Sequence, residues 1–454
     1  MERVLFGNVK AWLVLFLAIL GLFGSVMLSS LVLYRVEGGQ RLPLVTKAAL
    51  NIARFPHTVV QLARGELKRD NHVVPDRFPD EPTGFSILEE SIGDPQYLLV
   101  SRYDGNIGRS VVELLREGEA DVLHRWVFDN AEDMSFESEA PFISTPIASQ
   151  SHTMRTVHPW LGDDGGLFVK VHFGAMYRVG ACSDVEWVNS DFMFHHALEQ
   201  DAYGNFWSVG SGQMTPEVAG LGFNADFVDN RAIQLSPQGE VLFDRSVMEI
   251  IINAGLLNLV NDYDAYQIDP IHLNDVQPVF EDGQLSRRGD IYLSLSHLNM
   301  LMLYRPATDE LVWWTQDYMM QQHDIDIIAP DVVQIFDNRK RTGPQGSMTI
   351  STNEIVRYHL PEREGDPVFA EPMREADVRT LNQGLADQLP GNGIMMEDTN
   401  AGRLIKFSET GKPQWTYLNR SDDGRVWTLN WSRYISAATA ESALEQLKEA
   451  QCNI

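Results

Sequence analysis

The chain has 454 residues, 44% hydrophobic and 22% charged, which excludes an intrinsically disordered protein and admits one large domain or two to three ordinary ones. Thirty-six Lys and Arg against 63 Asp and Glu leave a net charge of −27, so the averaged field repels polyanions and no nucleic-acid partner is expected. An anionic small molecule would have to be caught by a local exception to that field.

The first element is an uncharged apolar run from Ala11 to Tyr34, about 36 Å long as a helix and therefore able to span a bilayer. Trp12 and Tyr34 stand where interfacial aromatics belong, and Arg3 and Lys10 precede the span. The run exceeds a signal-peptide core and ends without a small-x-small site, which reads as an uncleaved single-pass anchor with the N-terminus in the cytoplasm and the body outside it. Residues 1–10 are then a cytoplasmic leader, 11–34 the anchor, 35–85 a connector with a short amphipathic stretch at 48–69, and 437–454 a C-terminal helix and tail. Residues 86–436 form the soluble body, expected outside the cytoplasm.

That body reads as short β runs between Gly, Asp and Asn turns, at Leu98, Leu167, Asn205, Ile291, Val332 and Ile394. Helices are scarce in it, the clearest at 244–257 and near 437–451. A polar turn followed by a closing aromatic recurs six times, ending at Trp126, Trp187, Phe243, Trp313, Phe369 and Trp415, spaced roughly 58 residues apart. Such a period suits a four-stranded unit, and the expected fold is all-β, a six-bladed β-propeller with the aromatics at the ends of third strands, packing between blades. Cys182 and Cys452 exclude a multi-cysteine metal site. They allow either one bridge in an oxidising space or two buried thiols, and their wide separation favours the thiols.

Propeller blades turn their first strands toward a central channel, where residues from different repeats meet. Phe194-His195-His196-Ala197, His272-Leu273-Asn274 and Gln322-His323-Asp324 open successive repeats at matching offsets from their closing aromatics. Three imidazoles in register would serve a metal with an open position, or a nucleophilic histidine flanked by hydrogen-bond donors. Asn274, a neutral donor, suits the second use better. A third possibility is a non-catalytic scaffold of the cell envelope.

As an ordered set these phrases resemble the bacterial arylsulfotransferase family, nucleotide-independent six-bladed propellers that move a sulfuryl group between phenols. The resemblance is carried by His195-His196 with Tyr203-Gly204-Asn205, by His272-Leu273-Asn274, by Gln322-His323 with Phe336-Asp337-Asn338, and by Trp431-Ser432-Arg433-Tyr434. It implies that His323 carries the sulfuryl group as an N-sulfohistidine. His272 and His196 would then exchange protons and, with Asn274, hold the sulfate oxygens, and His195 replaces His196 if the register differs by one. It also implies a channel arginine where this sequence has Ser296, so Ser296 joins the substrate-binding set and His297, Arg357 or Arg433 would supply the missing charge. An aryl sulfate and a phenolic or other hydroxyl acceptor are the implied small-molecule partners, with no cofactor and no metal, and the implied location is the bacterial inner membrane with the body in the periplasm; a homo-oligomer remains compatible with the sequence.

Overall fold

In a computed structural model of the chain, the described residues are 10–36, 45–46, 48–49, 52–53, 72–89, 96–128, 154–223, 227–260, 268–343, 346–450 and 452. The chain divides into two units, residues 1–70 with 263–265, and residues 71–262 with 266–454. In the first, Ala11–Val36 is one helix, and its Trp12–Tyr34 portion is long and apolar enough to cross a membrane. Most of the amphipathic stretch expected at 48–69 lies outside the described residues.

The second unit is mostly antiparallel sheet in a propeller-like arrangement. Each β run read from the sequence falls on a strand, the one at Asn205 starting a residue early: Tyr97–Asp104, Leu167–Val171, Phe206–Gly212, Ile291–Leu295, Val332–Asp337 and Ile394–Asp398. Four separate sheets of four or five strands can be counted as blades. One pairs Arg433–Ile435 from the end of the chain with Tyr97–Asp104, Arg109–Arg116 and Val122–Val127 from its beginning, so the two ends close on each other. The others run from Leu273–Pro278 to Glu310–Thr315, from Ile325–Ala329 to Gly365–Val368, and from Leu385–Gln388 to Pro413–Leu418. Gly84–Ile87 adds a fifth strand to the last of these, so residues assigned to a connector are partly sheet. A further sheet of seven strands is continuous because the 16-residue strand Val185–Gln200 pairs with Gly174–Val179 through its first half and with Phe206–Gly212 through its second.

The recurring aromatics pack between sheets, but from the fourth strand of each unit rather than the third. The polar turn is the hairpin between those two strands, so the aromatic falls inside the strand that follows, as Trp126 in Val122–Val127, Trp313 in Glu310–Thr315 and Trp415 in Pro413–Leu418, except Phe369, which stands just after Gly365–Val368. Trp126 packs with Leu167 and Tyr177 of the next sheet, Trp313 with Val333 and Ile335, and Trp415 with Leu98 and Val100. Helix Val247–Asn253 is shorter than expected because strand Val241–Ser246 runs through Asp244 and the Ser246 hydroxyl caps the Glu249 N–H. Ser436 caps the last helix, Ala437–Glu449, which buries Ala440, Ala443 and Leu447 against the Trp126 cluster. Cys182 and Cys452 form a disulfide with Cα atoms 5.2 Å apart, correcting the reading as two thiols: the closing helix returns the tail to the Ala181 turn, a contact that sequence separation hides.

Buried side chains stitch each first strand to its neighbour. Asn230 Oδ1 accepts from Leu273 N, Asp275 Oδ2 from Ile325 N, Asp324 Oδ2 from Ala386 N, and the two Glu397 oxygens from Trp431 N and Ser432 N. A carboxylate whose oxygens meet backbone donors fixes the relative heights of two strands, and these heights set where the functional side chains meet.

Candidate functional site

The first strand of a sheet would ordinarily alternate its side chains between two faces, so that consecutive histidines point apart. At His195-His196 it does not. His195 pairs with Val209, Leu198 pairs with Ser208, and the extra residues form a bulge in which His196 has φ +52°. Lys170, fully buried, holds the bulge by donating to the carbonyls of His196 and Ala197 and, at 3.1 Å, to Ser208 Oγ. Both rings therefore reach the same place, with Nδ1 atoms 3.0 Å apart. The two rings are therefore neighbours rather than alternatives.

Left-handed residues recur where the other first strands begin: His158 at φ +49°, His272 at +49°, Gln321 at +56°, Gln383 at +64° and Trp431 at +73°. Each costs on the order of 1 kcal/mol for a residue with a Cβ, and such strain is retained where a side chain must be aimed. Ring centroids converge accordingly: His196 lies 5.3 Å from His272, 5.5 Å from His323 and 5.5 Å from His172, and His195 lies 6.2 Å from His272. Trp431 closes one side, 3.6 Å from the His158 ring and 6.4 Å from His323.

Second partners fix the tautomers. Asn338 Nδ2 donates to Gln383 O at 2.7 Å and Thr380 O at 3.2 Å, so its Oδ1 is the acceptor 2.6 Å from His323 Nδ1. His323 thus carries its proton on Nδ1 and its lone pair on Nε2. His272 Nδ1 donates to Asp269 Oδ2 at 2.5 Å, and Asp269 Oδ1 accepts from Asn230 Nδ2 and His272 N, which aims His272 Nε2 away from the carboxylate. Burial would raise the Asp269 carboxyl, but His272 outweighs it and holds the group well below the usual range. Burial, reinforced by neighbouring rings, pushes His323 and His195 down to about 3 and His158, His172 and His196 well below their ordinary value.

Asn274 is fully buried and spends one amide proton on Gln322 O at 2.9 Å, immediately before His323, while its Oδ1 has no partner among the described residues. Ser296 is buried with its N–H on His272 O. His297 stacks on His272 at 4.4 Å with Nδ1 on Asp269 O. Arg433 is committed to Glu199 at 2.6 Å and Pro159 O at 2.9 Å, and Arg357 to Gln334 and Gln388; neither is hydrogen-bonded to a ring of the cluster. Sequence reasoning missed His158, His172 and Asp269, none of which stands in a histidine-bearing phrase at the repeat offset.

Two clusters have metal-ligand spacing among the described residues, Asp269 with His272 and His297, and Asp324 with Asp326 and Asp387. In the first, both histidine Nδ1 atoms are already hydrogen-bonded to Asp269. In the second, burial pushes Asp387 up to about 7 and Asp324 and Asp326 well above the ordinary range, which favours shared protons. A cavity of about 420 Å³ adjoins this acidic end, lined by Glu199, Asp326, Asp387 and Arg433 and by none of the histidines.

No curated protein is detectably similar in sequence. Similar solved folds include a protein of unknown function from Bacteroides caccae (9% identity, TM-score 0.45, 75% of this chain and 99% of that one), a virginiamycin B lyase from Staphylococcus aureus (9%, 0.34, 62% and 84%) and AztD from Citrobacter koseri (9%, 0.33, 75% and 98%). At these scores none bears on function. The sequence profile described as Arylsulfotransferase (ASST) matches residues 173–420, which include His195, His196, His272 and His323 and make up more than half of the chain. The chain belongs to the arylsulfotransferase (ASST) family.

Proposed function

We propose that the protein is a nucleotide-independent aryl-sulfate sulfotransferase in which His323 is the nucleophile. The observation that carries this reading is the convergence of four imidazoles, those of His195, His196, His272 and His323, from three separate first-strand entries, with the His323 Nδ1 proton held by Asn338 so that Nε2 is unprotonated. His323 Nε2 attacks the sulfur of an aryl sulfate. The S–N bond forms as the ester S–O bond breaks, and the departing phenolic oxygen takes that bond's electron pair and a proton from His272. His272 is the ring backed by a carboxylate, the arrangement that stabilises an imidazolium. A phenolic or other hydroxyl acceptor then gives its proton to His272, attacks the same sulfur, and returns His323 to its starting state. His196 and His195 border the transferring group, Asn274 holds the His323 segment in place, and Ser296, where relatives would carry an arginine, supports the His272 backbone.

Counting the seven-stranded sheet as two units that share Val185–Gln200 makes six blades, a reading supported by the six left-handed entries and the six closing aromatics. We place the second unit in the periplasm, anchored through residues 11–34 in the bacterial inner membrane, which the positively charged leader and the Cys182–Cys452 bridge support. Incubating the full chain in detergent with 4-nitrophenyl sulfate and phenol tests the activity: release of 4-nitrophenol coupled to phenyl sulfate formation is expected, and its persistence in His323→Ala would remove His323 from the role.

A further inference from the structure

Rings kept neutral by burial at His158, His172, His195, His196 and His323, with His272 paired to Asp269, offer no net attraction to an anion in a protein of charge −27, so a site for a sulfate ester needs a cation that is not already paired. Lys170 is spent on carbonyls beneath the bulge and Arg433 on Glu199. Two cations differ. Arg155, immediately before Thr156–Leu161, donates to Gln383 Oε1, Asn430 Oδ1 and, at 3.3 Å, Leu429 O. Lys340 Nζ donates to Asn382 Oδ1 at 2.7 Å. Neither has a carboxylate at ion-pair distance among the described residues, and both rest on the neutral side-chain oxygens of the adjacent pair Asn382-Gln383.

That pair adjoins the nucleophile. The Gln383 carbonyl accepts from Asn338, and Asn338 holds His323 Nδ1. Asn430, the other amide under Arg155, precedes Trp431, whose ring borders His196 and His323. The Lys340 charge opposes protonation of His323 and His297, and that of Arg155 opposes protonation of His172 and His158, so the two cations act on opposite parts of the cluster. Neutral amide seats orient a cation without cancelling its charge, whereas a carboxylate would do both.

We propose that Arg155 and Lys340, seated on the Gln383 and Asn382 side chains, form the cationic clamp that binds the sulfuryl oxygens of the donor. This rests on the reading of the site as one that accepts an aryl sulfate, and it assigns to two residues outside the histidine cluster the charge that Ser296 does not supply.

Binding and turnover separate the two claims. In a His323→Ala background, where donor is not consumed, calorimetric titration with 4-nitrophenyl sulfate should show affinity reduced about tenfold or more by Lys340→Gln and by Arg155→Gln. Lys340→Arg and Arg155→Lys should stay within about threefold, and binding of neutral 4-nitrophenol should be unchanged. With His323 intact, the Gln variants should raise KM for the donor more than they lower kcat. If Arg155→Gln does not fold, Lys340→Gln and Arg155→Lys decide. Unchanged 4-nitrophenyl sulfate affinity in both Gln variants, or in Lys340→Gln with Arg155→Gln unfolded, overturns the clamp even when the parent protein transfers sulfuryl groups. A parent protein that binds 4-nitrophenyl sulfate through these residues but never transfers its sulfuryl group overturns the transfer reading and leaves the clamp standing.

Discussion

His323 Nδ1 lies 2.6 Å from Asn338 Oδ1, and because both carbonyl partners of the Asn338 amide take its NH₂, the histidine has to be the donor in that pair. One asparagine thereby selects the nucleophilic tautomer and orients the ring. Asn338→Ala should lower kcat by about 10- to 100-fold with little change in donor KM, since it affects orientation rather than binding. An equal fall in affinity and no fall in kcat would contradict this role.

The proton inventory predicts an unusual pH profile. His323 and His195, pushed down to about 3 by burial and the surrounding rings, stay unprotonated where an exposed histidine would be charged. For the nucleophile, kcat/KM should show no acid limb near pH 6.5 and should hold through pH 5. Stability follows the same linkage: a base with a depressed folded pKa contributes stability that is present above the unfolded value of about 6.5 and is lost as pH falls toward 3. Denaturation midpoints measured from pH 7 to pH 4 should fall, and His195→Asn should make the fall shallower. A midpoint independent of pH over that range would contradict the buried neutral assignment.

His196 adopts φ +52° to bring its ring beside His195. A Cβ is costly there, so His196→Gly should be more stable than His196→Ala by about 1 kcal/mol, although both lose the ring. Urea denaturation of the two variants measures the difference. An alanine variant as stable as the glycine variant would mean that the bulge relaxes once the imidazole is gone.

The disulfide between Cys182 and Cys452 ties the end of the closing helix to the turn beside Val185–Gln200. Cys452→Ser should cost about 2 to 5 kcal/mol of stability while leaving transfer activity per folded molecule unchanged. Thermal unfolding with and without a reductant provides the check: only the parent protein should respond to the reductant.

Much of this fold was legible because its signals are local. The β runs at Leu98, Leu167 and Ile291 alternate between turn residues, and the closing aromatics mark one hairpin per repeat. The strand bearing each aromatic was misplaced by one, because a polar turn does not reveal which hairpin of a meander it closes. At the site, His272 and His323 could be found from repeat register alone. Asp269 could not, since its role depends on the left-handed turn that brings it back onto His272. Arg155 was also hidden, because its partners Gln383 and Asn430 lie far along the chain and meet it only when the sheets close.

The central claim is that His323 bears the sulfuryl group between donor and acceptor. The most direct measurement is mass spectrometry of the full chain quenched at alkaline pH after mixing with 4-nitrophenyl sulfate and no acceptor. The account predicts one acid-labile sulfuryl adduct on the peptide containing His323, formed with a stoichiometric burst of 4-nitrophenol and discharged on adding phenol. A burst with the adduct on another residue, or steady transfer with no adduct in both the parent protein and His323→Ala, would contradict it.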